Sequence, residues 1–487
     1  MTAILDLATV RRIEVQEAAL QPSLMERAGA AATDIALTLL ANATLPPLII
    51  CGPGNNGGDG FVVARRLAQR GKKPAVIFTG DIDRLPPDAR TACEAWRAVG
   101  GEWLTDIPAG DFGIAIDALF GVGLGRSIEG GLAQLVARIN ALHCPVLALD
   151  VPSGIDAATG CIMGTAVRAS HTATFIALKP GLLTADGPDH CGEISVHDLG
   201  LTVGEGPGQT ISPRQFASCL RPRLQNSHKG NYGSVAVVGG EPGMAGAALL
   251  AGRAALGLGA GRVHVGMIER LAIDPMQPEL MLRPADEVLG FATVVAVGPG
   301  LGQSPQALEL LRHAIDCDLP MVIDADGLNL LAAHPVLKAK LARRAPATLL
   351  TPHPAEAARL LGTTTQAVQN DRLAAAMRIA QHCNALVALK GCGTVIATPD
   401  GRWWINTSGN AGLATAGSGD VLSGFIAALL AQRWPALEAL LAAAHLHGAA
   451  ADELAISMGG NVGMNASELI AAARRLMNRW IATTKTT

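Results

Sequence analysis

One stretch near the carboxyl end constrains the fold most. Residues 416–424 read AGSGDVLSG and lead into an apolar run, Val421–Leu430. The run lacks the alternation of a half-buried strand and is longer than a typical strand, so it predicts a buried helix. Gly417, Ser418 and Gly419 then form the first turn of that helix. Free backbone N–H groups and the positive end of the helix dipole favour an anion there, such as a phosphate.

The acid in this stretch, Asp420, has two interpretations. An Asp at a helix start is often a cap. The small residues before it favour a second interpretation, because a phosphate can approach bare backbone closely. A carboxylate beside a phosphate suits the removal of a proton from a hydroxyl that receives a phosphoryl group. We therefore expect Asp420 to be a catalytic base.

Composition excludes several classes of protein. At 487 residues the chain exceeds one ordinary core and predicts two or three domains. Hydrophobic residues make up 49% and charged residues 16%, which is typical of a well-buried α/β protein. A net charge of −3 without blocks of like charge, one Tyr and 8 Phe argue against nucleic-acid binding. The nine scattered Cys, without a C-x-x-C pair, and the lack of a bilayer-length apolar segment predict a cytoplasmic protein with no membrane partner.

The first half contains buried strands that run into loops rich in Gly, Pro or Asp. One strand leads into residues 52–60, GPGNNGGDG, and a helix is predicted from Phe61 to Arg70. Gly52, Gly54 and Gly57 satisfy G-x-G-x-x-G, but this match alone is weak because a tight crossover turn also explains it. The Asn residues and the Asp of the loop favour ligand binding, since their oxygens could hold a ribose or a cation.

Two further strands end in acids, Asp117 and Asp150. An Asp at such a position usually serves a turn. The carboxyl ends of parallel strands, however, meet at one edge of the sheet, where ligands bind. Together with Asn56 and Ser153, these acids could supply four oxygen ligands for a hard monovalent cation.

Four motifs give the first half a specific resemblance, from about residue 5 to Gly200. They are LMERAG at 24–29, NNGGDG at 55–60, DALFGVGL at 117–124 and DVPSG at 150–154. The region resembles the N-terminal epimerase domain of the YjeF-type NAD(P)H-hydrate repair proteins. The resemblance implies a Rossmann-like three-layer α/β/α sandwich that interconverts the R and S hydrates of NAD(P)H.

The same resemblance implies roles for individual residues. It implies that Asn56, Asp117 and Ser153 bind K⁺, and we expect Asp150 to shuttle a proton in epimerisation. The hydrate is expected to lie along Asp150 and two loops. The loop residues are Asn55, Asn56, Gly57, Gly58, Asp59, Gly121, Val122, Gly123, Leu124, Gly125, Arg126 and Ser127. Ser127 stands where Pro is common in the family.

A stretch rich in Gly, residues 199–212, has no apolar periodicity and predicts the domain boundary. The predicted domains are residues 1–205 and 213–487.

The second half again alternates short apolar strands, loops rich in Gly, Pro or acid, and helical stretches, which predicts another parallel-sheet α/β domain. Asp324 and Asp326 follow one strand and could position Mg²⁺ or water, although turn chemistry fits them equally well. His353, between two prolines, is expected to face a ligand. Lys390 is a candidate nucleotide contact but not a Walker lysine, because no G-K-[ST] follows a Gly-x₄ loop.

Five motifs resemble the ribokinase-like superfamily over roughly residues 213–475, and more closely its branch that dehydrates NAD(P)H hydrates. They are HKGNYG at 228–233, GPGLG at 298–302, DADGLN at 324–329, TPHPAE at 351–356, and residues 410–424. The resemblance implies that the hydrate contacts Ala247, Gly302, His353 and Asp420. The nucleotide is expected on Lys390, Gly391, Cys392, Gly393, Thr394, Gly417, Ser418 and Gly419.

These expectations combine into a bifunctional repair enzyme that uses ADP or ATP, Mg²⁺ and K⁺, and that we expect to be a homo-oligomer. Three alternatives remain at this point. A vitamin-pathway kinase would share the Gly417–Asp420 turn and stop at a stable phosphorylated product. An NAD-dependent dehydrogenase would use the glycines at 52–57 with Asp81 on the ribose. A dinucleotide sensor would bind the hydrate without turnover.

Overall fold

The computed structural model describes residues 3–40, 44–204 and 206–483. The chain forms two compact units, Thr2–Gly208 and Gln209–Thr487. The division falls inside the Gly-rich stretch at 199–212. Three of the predicted domain limits, residues 1, 205 and 487, lie outside the described residues. The predicted limits therefore stay predictions.

The N-terminal unit is built on a parallel sheet in the order β3-β2-β4-β5-β6-β7. Alternate residues of its central strands pack into two separate apolar clusters; Ile49 and Cys51 belong to one, and Leu48 and Ile50 to the other. Helices therefore cover both faces, as a three-layer sandwich requires. The strands are β1 (Ala3–Ile4), β2 (Pro47–Cys51), β3 (Ala75–Phe78), β4 (Ile114–Ala118), β5 (Val146–Leu149), β6 (His171–Phe175) and β7 (Glu193–His197). The helices are α1 (Leu7–Gln16), α2 (Leu24–Leu40), α3 (Asn55–Gln69), α4 (Pro87–Ala98), α5 (Gly130–Asn140) and α6 (Gly187–Cys191).

The C-terminal unit has a larger sheet, in the order β8-β17-β16-β15-β14-β13-β12-β9-β10-β11. Its pairs are parallel from β15 to β11, and β16 pairs antiparallel with both β15 and β17. The strands are β8 (Gly208–Thr210), β9 (Ser234–Gly239), β10 (Arg262–Met267), β11 (Met281–Pro284), β12 (Val294–Val297), β13 (Met321–Ile323), β14 (Thr348–Leu350), β15 (Leu386–Leu389), β16 (Val395–Ala397) and β17 (Trp403–Ile405). The helices are α7 (Ala245–Gly257), α8 (Pro305–Asp316), α9 (Ala325–Ala333), α10 (Pro335–Leu341), α11 (Pro354–Leu361), α12 (Thr365–Asn370), α13 (Arg372–Cys383), α14 (Ser418–Ala431), α15 (Ala436–Met458) and α16 (Ala466–Thr483). No helix among the described residues is long and apolar enough to cross a bilayer.

The buried helix predicted from the apolar run is confirmed as α14, in which every residue from Val421 to Ala431 is buried. It packs closely against α7. A Cβ on Gly424 would lie 2.2 Å from the carbonyl oxygen of Ala251, so only glycine allows this approach. The small residues of α7 therefore serve helix packing.

The predicted start of the helix after the first Gly loop was wrong. Helix α3 begins at Asn55, not Phe61, so residues 55–60, two thirds of the presumed loop, are helical. Gly57 explains the difference, because a Cβ there would lie 2.0 Å from the carbonyl oxygen of Gly52. This glycine lets the first turn of α3 pack on the end of β2, as the last glycine of G-x-G-x-x-G does in dinucleotide-binding units.

Two candidate active sites

The first candidate site lies at the N-terminal end of α14. Gly417 is the N-cap residue in a left-handed conformation, with φ of 87°, and no side chain caps the helix. Asp420 is the third helical residue and makes no capping hydrogen bond. The interpretation of Asp420 as a helix cap is therefore wrong. The N–H of Ser418 donates to the carbonyl of Thr415 at 3.4 Å, whereas the N–H groups of Gly419 and Asp420, in the first turn of the helix, have no partner within it and stay available to an anion.

Asp420 lines a cavity of about 380 Å³. A Lys–Asp pair crosses it, in which Lys390 Nζ lies 2.6 Å from Asp324 Oδ1. The other oxygen of Asp324 accepts a hydrogen bond of 2.7 Å from Ser423, on the second turn of α14. Asp324 therefore ties the end of β13 to α14 and holds the lysine at the bare helix tip. The lining residues are Asp324, Ala325, His353, Pro354, Glu356, Lys390, Gly391, Gly417, Ser418, Gly419 and Asp420.

The electrostatics of this cavity favour a base that works near neutral pH. Burial raises the pKa of Asp420 to about 7, and the negative charge of Asp324 adds to the effect while Lys390 opposes it. Burial by itself lowers the pKa of Lys390, but the charges of Asp324 and Glu356 outweigh it and raise the pKa. Lys390 therefore stays an ammonium group that can face phosphate. A carboxyl group whose pKa lies near the working pH is well matched to proton transfer.

His353 faces the cavity as predicted and is joined to an acid that the sequence did not single out as a site residue. Its Nδ1 accepts a hydrogen bond of 3.1 Å from the N–H of Ala355, so Nε2 carries the proton. That Nε2 lies 3.2 Å from Glu356 Oε1. Burial, followed by the charge of Lys390, lowers the pKa of His353, and burial raises the pKa of Glu356 to about 7. The spacing H-x-x-E at a helix start is the sequence signal that would have found this acid.

Only some of the residues predicted for this site line the cavity. Lys390, Gly391, Gly417, Ser418, Gly419, His353 and Asp420 come together, whereas Cys392, Gly393, Thr394, Ala247 and Gly302 are not among the lining residues. Thr394 Oγ1 instead donates to the carbonyl of Gly391 at 3.2 Å.

Gly302 and Ala247 belong to neighbouring turns. The Gly302 N–H donates to Asp326 Oδ2 at 3.0 Å, and Ala247 packs beside Gly300. The two acids of the DADG motif therefore differ: Asp326 serves a turn, and Asp324 lines the cavity.

The second candidate site lies at the carboxyl ends of β4 and β5 in the N-terminal unit. Ser153 Oγ donates to Asp117 Oδ1 at 2.6 Å, and Ser153 N–H donates to Asp117 Oδ2 at 2.8 Å. Ser153 Oγ also lies 3.1 Å from the carbonyl oxygen of Phe120. Both side chains are fully buried, and burial raises the pKa of Asp117 to about 6.

Asn56 lies next to the Phe120–Gly121 segment of this site and has unsatisfied polar atoms. Its side chain is buried, yet neither its oxygen nor its nitrogen has a hydrogen-bond partner. Gly121 lies beside it, since a Cβ there would be 3.4 Å from Asn56 Oδ1. A buried amide without partners is costly, so an oxygen-seeking ion fits this place chemically. No cluster of three or more His, Cys, Asp or Glu suited to a metal occurs in the part of the chain that the structure describes.

Asp150 follows β5 in a strained backbone conformation, with φ of 66°. Its carboxylate is joined to Lys179, whose side chain is only 1% exposed. Sequence reasoning missed Lys179, because nothing in its spacing links it to Asp150. A non-glycine residue held at positive φ is common at functional sites.

Two more acids, Asp59 and Glu14, are electrostatically coupled to the Asp150–Lys179 pair. Burial raises the pKa of Asp59 well above its ordinary value, and the charges of Asp150 and Glu14 raise it further. Burial also raises the pKa of Glu14, with a contribution from Asp150. Glu14, on α1, was not predicted as a site residue. An excess of carboxyl groups around one lysine is typical of a site that moves protons.

The two predicted substrate loops differ in what they present. Gly57 and Gly58 pack against Gly52 and Met25, so they can offer a ligand only backbone groups. In the second loop, a Cβ added at Gly123 or Gly125 would meet nothing within 4 Å, and Gly123, Gly125, Arg126 and Ser127 are exposed. The second loop is therefore open to a large ligand.

Comparisons with known proteins match the two halves of the chain to two family models. The family model for NAD(P)H-hydrate dehydratase matches residues 235–475, and the model for the YjeF-related protein N-terminus matches residues 21–181. The bifunctional NAD(P)H-hydrate repair enzyme of Escherichia coli is 40% identical and covers 93% of this chain and 89% of its own length.

Solved structures match the C-terminal half. A Bacillus subtilis ADP/ATP-dependent NAD(P)H-hydrate dehydratase, co-crystallised with ATP and Mg²⁺, is 30% identical over 55% of this chain and 97% of its own, with a TM-score of 0.48. A ribokinase-like superfamily protein of Enterococcus faecalis is 25% identical over 57% of this chain and 99% of its own, with a TM-score of 0.50. The predicted ribokinase-like fold is confirmed. Since both halves match over most of their length, the chain belongs to the family of bifunctional NAD(P)H-hydrate repair enzymes.

Proposed function

We propose that the C-terminal unit restores NADH or NADPH from the S hydrate while consuming ADP or ATP, and that the N-terminal unit converts the R hydrate into the S hydrate. One observation carries the proposal for the C-terminal unit. Asp420 has a pKa of about 7 and lines a cavity at a helix N-terminus that no side chain caps. Lys390, whose ammonium group suits a phosphate, lines the same cavity.

The chemistry begins with a poor leaving group. Hydration leaves a hydroxyl on C6 of the ring, and hydroxide departs slowly. Asp420 takes the hydroxyl proton while the terminal phosphoryl group of the nucleotide passes to that oxygen. The C6–O bond then breaks, phosphate leaves with the bonding electrons, and the lone pair of the ring nitrogen stabilises C6. Loss of a proton from C5 restores the ring double bond.

The residues of the helix tip stabilise the moving charge. The N–H groups of Gly417 to Asp420 and the ammonium group of Lys390 would face the transferred phosphoryl group. Mg²⁺, which accompanies ATP in the Bacillus subtilis relative, would neutralise charge on the nucleotide phosphates when bound. Asp324 and Glu356, at the same cavity, have the carboxylate oxygens that Mg²⁺ prefers.

For the N-terminal unit we propose Asp150 as the proton shuttle. Its strained backbone, its pairing with a buried lysine and its position at the carboxyl edge of the sheet support this role. The open loop at 121–127 and the side chains of Asn55 and Asp59 would contact the dinucleotide.

We further propose that Asn56, Asp117 and Ser153 hold K⁺. The buried amide oxygen of Asn56 has no partner, and the carbonyl oxygen of Phe120 stands beside Ser153. These neutral oxygens with one carboxylate suit a monovalent ion. The ion would order the ends of β4 and β5 around the substrate. A cytoplasmic location and a homo-oligomeric state stay predictions.

The proposal is tested with pure S hydrate, Mg²⁺ and ADP or ATP. With the parent protein, we expect the absorbance of the reduced ring to rise as inorganic phosphate is released. Asp420→Asn should bind nucleotide normally and turn over about 10²–10⁴-fold more slowly. Asp326→Asn, which alters the acid that serves a turn, is the matched control and should retain most activity. A stable phosphorylated product without phosphate release would instead indicate a kinase.

A further inference from the structure

Lys179 is the most deeply buried lysine of the N-terminal site, and its three donors are all used. Nζ contacts Asp150 Oδ1, donates to Thr174 Oγ1 at 2.9 Å and donates to the carbonyl oxygen of Phe175 at 2.7 Å. A fully buried ammonium group is retained only where it is paired and hydrogen-bonded. None of its protons remains for a substrate, so Lys179 cannot itself be the acid that reacts.

The hydrogen bonds around Asp150 are one-sided. Oδ1 receives Lys179 Nζ, Thr174 Oγ1 at 3.2 Å and the N–H of Phe175 at 3.2 Å. No donor among the described residues bonds Oδ2. The carboxylate is 14% exposed, so only a small part of it reaches solvent. A proton can therefore be gained or lost only at Oδ2.

We propose that Lys179 is a positioning residue for epimerisation: it holds Oδ1 of Asp150 and leaves Oδ2 directed to the substrate, so that the reaction starts by removal of the C6 hydroxyl proton at Oδ2. This inference rests on the proposed role of Asp150. The electrons of the O–H bond form a C6 carbonyl, the C6–N1 bond breaks, and N1 takes a proton from solvent. Rotation about C5–C6 and reclosure from the other side give the second epimer and return the proton.

A carboxylate base also explains why the N-terminal unit does not dehydrate the hydrate, which is the reaction proposed for the C-terminal unit. Loss of water from C6 would leave a cation that can lose its C5 proton and give reduced dinucleotide directly. Ring opening keeps the carbon oxygenated and leads only to the other epimer. The acids on other elements that are electrostatically coupled to Asp150 are Asp59 on α3 and Glu14 on α1. Burial raises the pKa of both acids, and the cation in contact with the Asp150 carboxylate is Lys179.

The test compares the full chain, Lys179→Met, Asp150→Asn and the double variant, with pure R hydrate and saturating nucleotide. For Lys179→Met we expect kcat of epimerisation to fall about 10²-fold or more with KM within about threefold, because Asp150 loses its orientation. In the Asp150→Asn background the second change should have no further effect, since Lys179 acts through Asp150. A thermal melt of each variant reports whether the N-terminal unit is folded, and dehydration of pure S hydrate reports on the C-terminal unit, which is a separate compact unit.

The milder variant Thr174→Val removes one hydroxyl from Oδ1 while keeping the lysine, and should lower kcat by about tenfold. In H₂¹⁸O, loss and return of water would place ¹⁸O on C6 of every epimer formed. Ring opening keeps the original oxygen on C6, so short incubations should give product that still contains it. Equal loss of activity on Lys179→Met in both Asp150 backgrounds, or full activity of Lys179→Met, would overturn the inference and leave the proposed function intact. Full epimerisation by Asp150→Asn would instead remove the proposed shuttle itself.

Discussion

The pH dependence of dehydration follows directly from the environment of Asp420. The group must be ionised to accept a proton, and its pKa in the folded protein is about 7 instead of 3.8. Activity is therefore lost as the pH falls through about 7. At pH 5 about one molecule in a hundred would carry the carboxylate, whereas a carboxyl with an ordinary pKa would be more than about nine-tenths ionised.

The pH at which activity is lost on the acid side of the pH–rate profile, its acid limb, depends on the charges around Asp420. Asp324 is the strongest charged contributor that raises the pKa, and Asp326 is a weaker one, whereas Lys390 lowers it. Asp324→Asn should shift the acid limb to lower pH, Asp326→Asn should shift it less, and Lys390→Met should shift it to higher pH. The order of these three shifts tests the electrostatics independently of the absolute rate.

The assay measures kcat/KM for the S hydrate from pH 5 to 9 at saturating Mg²⁺ and nucleotide, by the absorbance of the reduced ring and with the rate without enzyme subtracted. We expect a rise of about a hundredfold between pH 5 and 8. A limb centred below about pH 5, or one that ignores all three variants, would refute the assignment of Asp420 as a base tuned by burial.

Three further predictions concern stability and ion binding. Folding raises the pKa of Asp420, so its negative charge destabilises the folded state above pH 7, and this effect vanishes below pH 3.8. Asp420→Asn should therefore raise Tm at pH 8 and leave it unchanged at pH 3.5. A lower Tm of the variant at pH 8 would contradict this. Gly424→Ala should lower the free energy of unfolding by about 2 kcal/mol in denaturant melts, because its Cβ meets Ala251, whereas Gly246→Ala, with open space around it, should be neutral or stabilising. Asn56→Leu should raise the K⁺ concentration needed for half-maximal epimerisation about tenfold or more, while dehydration of S hydrate should proceed at the parent's rate; equal K⁺ responses of variant and parent in epimerisation would remove Asn56 from the ion site.

The sequence predicted well those features that depend on local pattern. The apolar run after Asp420 is longer than a strand and lacks alternation, and it forms the buried helix α14. Loops at the ends of parallel strands come together because the topology of such sheets requires it. Ser153 therefore bonds Asp117, and Asn56 lies beside Gly121, next in the chain to Phe120, whose carbonyl contacts Ser153. Their common role in an ion site stays a prediction.

Features that depend on long-range packing were not predictable. The start of α3 depends on how closely Gly57 approaches Gly52, and the sequence alone assigns those glycines equally well to a loop. Lys179 meets Asp150 only because β6 places its connection beside β5. Asp324 and Asp326 are equivalent in the motif, and only their contacts with Lys390 and Gly302 distinguish them.

The central claim is that one chain repairs both hydrates, with Asp420 priming the hydroxyl and Asp150 supplying the missing epimer. The most direct measurement follows reduced dinucleotide and inorganic phosphate together, starting from pure R hydrate with ADP or ATP, Mg²⁺ and K⁺. We predict complete conversion with about one phosphate per dinucleotide, arrest as R hydrate in Asp150→Asn, and accumulation of S hydrate in Asp420→Asn. Reduced dinucleotide formed without phosphate, or R hydrate consumed equally by both variants, would contradict the account.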